Sequence, residues 1–369
     1  MGAGVGLVLA GDVMTGRGID QVLPHPGSPT LHEEYVNDAR RYVDLAERVN
    51  GSVPAPVAPS WPWGEVLSVA DPAPVSWRVM NLETAVTRSD DWARGKAVLY
   101  RMSPDNVDCL RVAGASVWTL ANNHLLDFGF QGLEETLRVL REAGQTSCGA
   151  GLDAVQAWAP ATVETQGRRL LVWSVGHPSS GVPRHWAAAD ARPGVALLPN
   201  LRDASADRLL ARVAEHRRDG DLVVVSVHWG SNWGYGVPPG QRRFAHRLVD
   251  GGVHVVLGHS SHHPKPLEVY RGGLVLYGCG DLVNDYEGID GYEAYRDDLR
   301  LLYSARFDAA SQALVSLQMW PFRARRLRLD RASAEDAHWL AARLGESCRE
   351  LGTTIAPATD GALEVVLAR

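Results

Sequence analysis

Three short apolar runs, Leu222–Val227, Val253–Leu257 and Leu274–Tyr277, set the strongest limit on how this chain can fold. Each is almost continuous in Val and Leu, the pattern of strands buried on both faces in a parallel sheet. Two of them end in histidine: Val227 runs into His228, and Leu257 passes through Gly258 into His259. The C-terminal end of a buried strand faces the crevice where α/β proteins bind ligands. His262 and His263 follow at once. Packing is a poor explanation for four histidines at two strand ends. The stretch from His228 to Glu287 therefore reads as a metal site.

The same arrangement recurs upstream. Val5–Ala10 reads as a first strand delivering Asp12, Pro74–Met80 as a strand delivering Asn81 and Glu83, and Ser116–Leu120 as one delivering Asn123 and His124, with Asp127 close behind. Helices are predicted over Leu31–Val49, Gly64–Ala70, Pro104–Ala113, Phe130–Ala143, Asp203–Arg218 and Pro239–Gly251. In Phe130–Ala143, Leu133, Leu137 and Leu140 share one face. Strands alternating with helices predict an α/β protein. Leu299–Asp308 and Ala313–Trp320 read as a hairpin-like pair, and Ser333 with Asp336 as a capping box opening a helix to about Leu351. No linker divides the chain. Residues 1–330 are expected to form one domain, with 331–369 as a helix–strand extension packed on it.

Composition excludes several classes. A formal net charge of -6 leaves no basic footprint for nucleic acid. Cys109, Cys148, Cys279 and Cys348 are scattered without a CxxC, which argues against a thiolate zinc site and fits a reducing compartment. The apolar start has no basic region before it, so it reads as a core strand and not a leader. No run approaches a membrane span. The expected location is cytoplasmic.

Five strand ends thus supply Asp12, Glu83, Asn123, His228 and His259, with His262 beside them. Carboxylate, amide and imidazole donors suit one or two divalent ions, Mn²⁺, Fe²⁺ or Zn²⁺. Two such ions activate a water for in-line attack on phosphorus. His124, left unligated, would protonate the leaving group, and Asp127 would orient its ring. Arg17 is placed to grip a phosphate or carboxylate bidentately.

With the motifs GDVMTGR (Gly11–Arg17), NLET (Asn81–Thr84), ANNHLLDFG (Ala121–Gly129), HWG (His228–Gly230), GHSSHHPKPLEVY (Gly258–Tyr270) and YGCGDLVND (Tyr277–Asp285), the chain resembles the CapA family of capsule-biosynthesis, or poly-γ-glutamate synthesis, proteins. That family shares the calcineurin-like metallophosphoesterase fold. The resemblance covers roughly Val5 to Glu287. It implies a four-layer α/β/β/α sandwich of two mixed sheets. It carries ligand roles onto Asp12, Glu83 as the bridging carboxylate, Asn123, His228, His259 and His262, and the acid's role onto His124. His263 falls at a non-ligand position.

Ordinary metallophosphoesterases carry Asp-x-His on the first strand, and here the third position is Met14. One ion keeps Glu83, Asn123, His228 and His259, whereas the other keeps only Asp12, Glu83 and His262, so the second ion is expected to bind more weakly. Three functions follow: a phosphoester hydrolase, an amide or γ-glutamyl hydrolase, and a non-catalytic subunit of polymer synthesis. All three imply an anionic small-molecule or polymer substrate as partner.

Overall fold

A computed structural model describes residues 4–367. Two mixed sheets dominate it. In the first, the strand Gly4–Val13 lies parallel to Val75–Leu82 on one side and antiparallel to Leu299–Asp308 on the other. Val117–Thr119 continues the parallel side, and Leu314–Ala324 and Leu363–Val366 the antiparallel side. In the second sheet the strands Gly273–Leu276, Val255–His259, Leu222–His228 and Arg168–Gly176 run parallel in that spatial order. Antiparallel edges Leu267–Tyr270 and Ala161–Thr165 close its two sides.

The two-residue period of a strand explains why the apolar runs are continuous. Val5, Leu7 and Leu9 share a buried cluster with Leu222, Val224, Val255, Leu257, Leu274 and Leu276, which joins the two sheets face to face. The alternate residues Val8 and Ala10 pack with Leu133 and Leu140 of the helix Gly129–Glu142. On the far side of the second sheet, Val223, Val225 and Val227 meet Leu209 and Val213 of the helix Asp203–His216 and Phe244 and Leu248 of the helix Pro239–Asp250. Both faces of both sheets are therefore covered by apolar contacts.

The capping box at Ser333 and Asp336 is present and opens the helix Ala334–Arg349. Its Leu340 and Leu344 enter the cluster between the sheets. Two helix expectations change. The expected helix Leu31–Val49 is helical only over Arg40–Asn50. Upstream, the Glu33 carboxylate accepts from Arg17 and from the Tyr42 hydroxyl, which draws that segment inward as loop. Pro104–Ala113 forms two short pieces, Pro104–Asn106 and Asp108–Arg111, with the Asn106 amide donating to Asp20.

Candidate metal centre

The parallel register pairs His228 with His259 on adjacent strands, so the two rings face the same crevice. Their Nδ1 atoms are 2.6 Å apart. The first sheet brings Asp12 to the same point, with Oδ1 3.4 Å from His259 Nδ1 and 4.0 Å from His228 Nδ1. One donor atom from each of Asp12, His228 and His259 lies within 4.8 Å of the others, and all three residues are buried. The other ring nitrogen of His228, Nε2, is 2.7 Å from Asn123 Oδ1 and 3.7 Å from Glu83 Oε1.

The backbone is shaped to make this approach. A Cβ on Gly11 would lie 2.0 Å from the Gly280 carbonyl, so only glycine lets the first strand pass there. Ser260 holds φ at 96°, and its N–H donates to Asp12 Oδ2 at 2.9 Å. Asn122 turns inward, donating to the Leu82 carbonyl at 2.7 Å and accepting from the His124 N–H at 3.1 Å. That inward turn leaves Asn123 to face His228.

Counting protons tests whether a cation fits. His259 Nε2 lies 2.6 Å from Ser226 Oγ, whose hydroxyl donates to Thr119 Oγ1 at 3.1 Å. His259 therefore donates at Nε2 and turns a lone pair at Nδ1 toward Asp12 and His228. A neutral His228 has one proton for two sides, and both sides present acceptors. Glu83 Oε2 is buried with no hydrogen-bond partner. The centre holds more lone pairs than protons, the condition a divalent cation satisfies.

The acid–base equilibria agree. Burial holds His259 down to about 3, and burial with the neighbouring His259 holds His228 well below the usual imidazole range. Both rings are thus neutral and able to ligate. Burial, and then the charge of Asp281, pushes Asp12 up to about 7. Burial and the adjacent Asp12 push Glu83 well above the carboxylate range. Positive charge in the centre would reverse both carboxyl shifts.

His262 stands apart from this cluster. Its Nδ1 is 3.0 Å and 3.1 Å from the two oxygens of Asp281, and its Nε2 is 3.0 Å from Asn232 Nδ2. Burial opposes protonation of His262, but the Asp281 charge outweighs it and the ring is shifted upward. Asp281 was not among the residues the sequence singled out. The strand Asp281–Val283 pairs in parallel with the end of the first strand, setting Asp281 opposite Asp12. A second carboxylate thus stands beside Asp12, paired with His262.

His124 Nδ1 is 2.6 Å from Asp127 Oδ2, and its Nε2 is 3.7 Å from Glu83 Oε1. Asp127 is fully buried and also accepts from the Tyr100 N–H at 2.7 Å. Burial lowers His124 to about 4, against the opposite pull of Asp127. Lys96, absent from the sequence reading, joins this pair: its ammonium reaches Asp127 Oδ1 and the Asn123 carbonyl and lies 3.0 Å from His124 Nδ1.

Arg17 departs from its expected role as an anion-gripping residue. Its Nε and Nη2 form a bidentate pair with Asp285 at 3.1 Å and 2.5 Å, and its Nη1 donates to Glu33 at 3.1 Å and to the Tyr42 hydroxyl at 2.9 Å. With 3% of its surface exposed, it is a buried internal ion pair with its donors already engaged. His263 lies outside the ligand cluster, its Nδ1 3.1 Å from the Pro264 carbonyl oxygen.

The family described as Bacterial capsule synthesis protein PGA_cap matches residues 6–286. A probable polyglutamine synthesis accessory protein of Mycobacterium tuberculosis is 52% identical over 365 residues, 98% of this chain and 96% of that protein. The PGA biosynthesis protein CapA of Bacillus subtilis is 28% identical over 225 residues, 60% of this chain and 56% of that protein. Among solved structures, a phosphatase from Mycoplasma pneumoniae aligns over 87% of this chain and 94% of its own, with a TM-score of 0.47 and 12% identity.

Proposed function

The chain belongs to the bacterial capsule synthesis protein family PGA_cap, and we propose that it is a metal-dependent hydrolase cleaving a phosphoester of an anionic substrate. The observation that carries this reading is the surplus of lone pairs where Asp12, Glu83, Asn123, His228 and His259 meet, next to the His124–Asp127 pair. One or two ions of Mn²⁺, Fe²⁺ or Zn²⁺ held there would supply Lewis acidity and an activated water.

The chain's own residues do the rest. Ser226 fixes the His259 tautomer, and Asn81 donates to Asp12 Oδ1 at 2.7 Å and holds that carboxylate still. Asp127 holds His124 Nδ1 and turns Nε2 toward the site; its charge favours the doubly protonated ring, which would give the Nε2 proton to the leaving group and keep the Nδ1 proton on Asp127. Lys96 pins the backbone at Asn123 and the carboxylate of Asp127 together, which keeps ligand and acid in one geometry.

A second reading, hydrolysis of an amide or γ-glutamyl bond, is favoured by the names of the relatives, one a probable polyglutamine synthesis accessory protein and one a PGA biosynthesis protein. The same centre serves it, because an activated water also attacks a carbonyl. The test is metal analysis of the purified protein, then a panel of phosphoesters and γ-glutamyl peptides with each of the three ions. Turnover of phosphoesters that needs metal supports the first reading, and turnover of γ-glutamyl peptides alone transfers the site to the second. A protein that binds none of the ions overturns both.

A further inference from the structure

Arg300 is a buried cation that no part of this chemistry uses. It is 1% exposed, yet among the described residues no carboxylate lies within ion-pair distance of it, and its Nε has no hydrogen-bond partner. Burying a charge without a counter-charge is costly, and a chain that tolerates it gains something from its hydrogen bonds. Nη1 donates to the carbonyls of Asp297 and Leu299, the latter at 3.1 Å. Nη2 donates to Asn284 Oδ1 at 2.8 Å.

That last bond has consequences along a line of side chains. A guanidinium only donates, so the Asn284 atom facing it is the amide oxygen. The backbone N–H of Tyr286 approaches the same oxygen at 3.3 Å. The amide nitrogen of Asn284 is then turned to Asp281 Oδ2, to which it donates at 2.7 Å. The Asp281 carboxylate only accepts, so His262 carries its proton on Nδ1, 3.0 Å away. A neutral His262 is left with its lone pair at Nε2, where the Asn232 amide nitrogen donates to it at 3.0 Å, the state in which an imidazole ligates a metal once that donor gives way.

We propose that Arg300 is a positioning residue for the second half of the metal centre, acting through Asn284 and Asp281 to fix the Nε2 lone pair of His262. The inference rests on the metal-centre reading above for its consequence, but not for the tautomer itself. It predicts that Arg300 governs one ion and not the other, since His228, His259 and Asn123 share no hydrogen bond with this line.

The experiment has two readouts. The first is ¹⁵N NMR of the metal-free protein at a pH where His262 is neutral, which reports the proton on Nδ1 or Nε2. The second is Mn²⁺ binding, counted site by site. Arg300→Met should mix the His262 tautomers and weaken one Mn²⁺ site about 10–100-fold, the usual cost of losing a residue that orients a ligand, with the other site unchanged. Arg300→Lys, which keeps a donor, should recover part of that loss. Asn284→Ala should match Arg300→Met, and the double variant should be no worse than Asn284→Ala alone, because both act on one line. If Arg300→Met fails to fold, Asn284→Ala against the parent still reads the tautomer. A folded Arg300→Met with the Nδ1 tautomer intact, or losses that add in the double variant, overturns the proposal. A parent that binds no Mn²⁺ but shows the tautomer change in Asn284→Ala would sink the metal reading and leave the positioning line standing.

Discussion

The two halves of the centre are built in different ways. On the His228–His259 side, the ring nitrogens sit on neighbouring strands of one sheet and meet one another with too few protons between them. On the His262 side, the ring is engaged at both nitrogens, by Asp281 and by Asn232. The first half is a cradle preformed by sheet register. The second is a hydrogen-bonded network that an ion must partly displace, since Asn232 lies at the nitrogen it would use. Preorganised donors bind more tightly than donors that must first break other bonds. The first ion should therefore bind tightly and the second weakly.

The sharpest test of the cradle is His228→Ala. It removes the ring that bridges the Asn123 and Asp12 sides, so bound metal and hydrolytic turnover should disappear together. Metal analysis of the purified variant beside its activity decides this. Retention of a full complement of metal would mean that the His262 half holds the tight ion, and the comparison would be inverted.

His124→Ala should behave differently. His124 touches the cradle only through Glu83 Oε1 at 3.7 Å, and its Nδ1 is taken by Asp127. Metal content should stay near normal while turnover on a substrate with a poor leaving group falls about 10²–10⁴-fold, the range for a lost general acid. A good leaving group should suffer far less. Loss of metal as complete as in His228→Ala would make His124 a ligand and not the acid.

The cradle should also leave a mark on stability. Asp12 is raised from 3.8 to about 7 by burial and then by Asp281. A raised carboxyl favours the protonated native state, so its contribution is fully present below pH 4 and is lost as pH rises through 7. Asp12→Asn mimics the protonated form. In metal-free protein the variant should gain on the parent by on the order of 2–4 kcal/mol between pH 4 and pH 8. Denaturant unfolding at the two pH values measures it. A constant difference would show that Asp12 titrates as an ordinary carboxyl, and the excess of lone pairs would lose its support.

How far the sequence revealed these halves follows from how each residue is placed. Asp12, Glu83, His228 and His259 were legible because each follows an apolar strand, and a strand end fixes a side chain's destination. Asp281 was not. It begins its strand instead of ending one, and only the parallel pairing with the first strand brings it beside Asp12. Lys96 lies in the irregular stretch before Leu99, where no periodicity exists to read, and tertiary contacts alone carry it to Asp127. Arg17 is the opposite case: it follows the first strand as read, but the partners that engage its guanidinium, Glu33 and Asp285, come from distant loops and were not legible. The two sheets were legible from their apolar runs, whereas the edge strands Ala161–Thr165 and Leu267–Tyr270 were missed, being short and mixed in polarity.

The smallest effect should come from Ser226→Ala. Ser226 lies inside the strand Leu222–His228, two residues before its histidine, and a strand's period of two puts both on one face. Its hydroxyl is 2.6 Å from His259 Nε2 and passes its own proton to Thr119 on the first sheet. The serine thus does for His259 what Asp281 does for His262, with a neutral acceptor in place of a carboxylate. Removing it leaves the ring free to hold its proton on either nitrogen, while sheet register still sets the ring's position. Affinity for the tight ion should fall about 10-fold, the low end for such a loss, with the weak ion unaffected. Calorimetric titration of the metal-free variant with Mn²⁺ measures both. A change confined to the weak ion would show that the two halves share one network, and the contrast between cradle and network would fail.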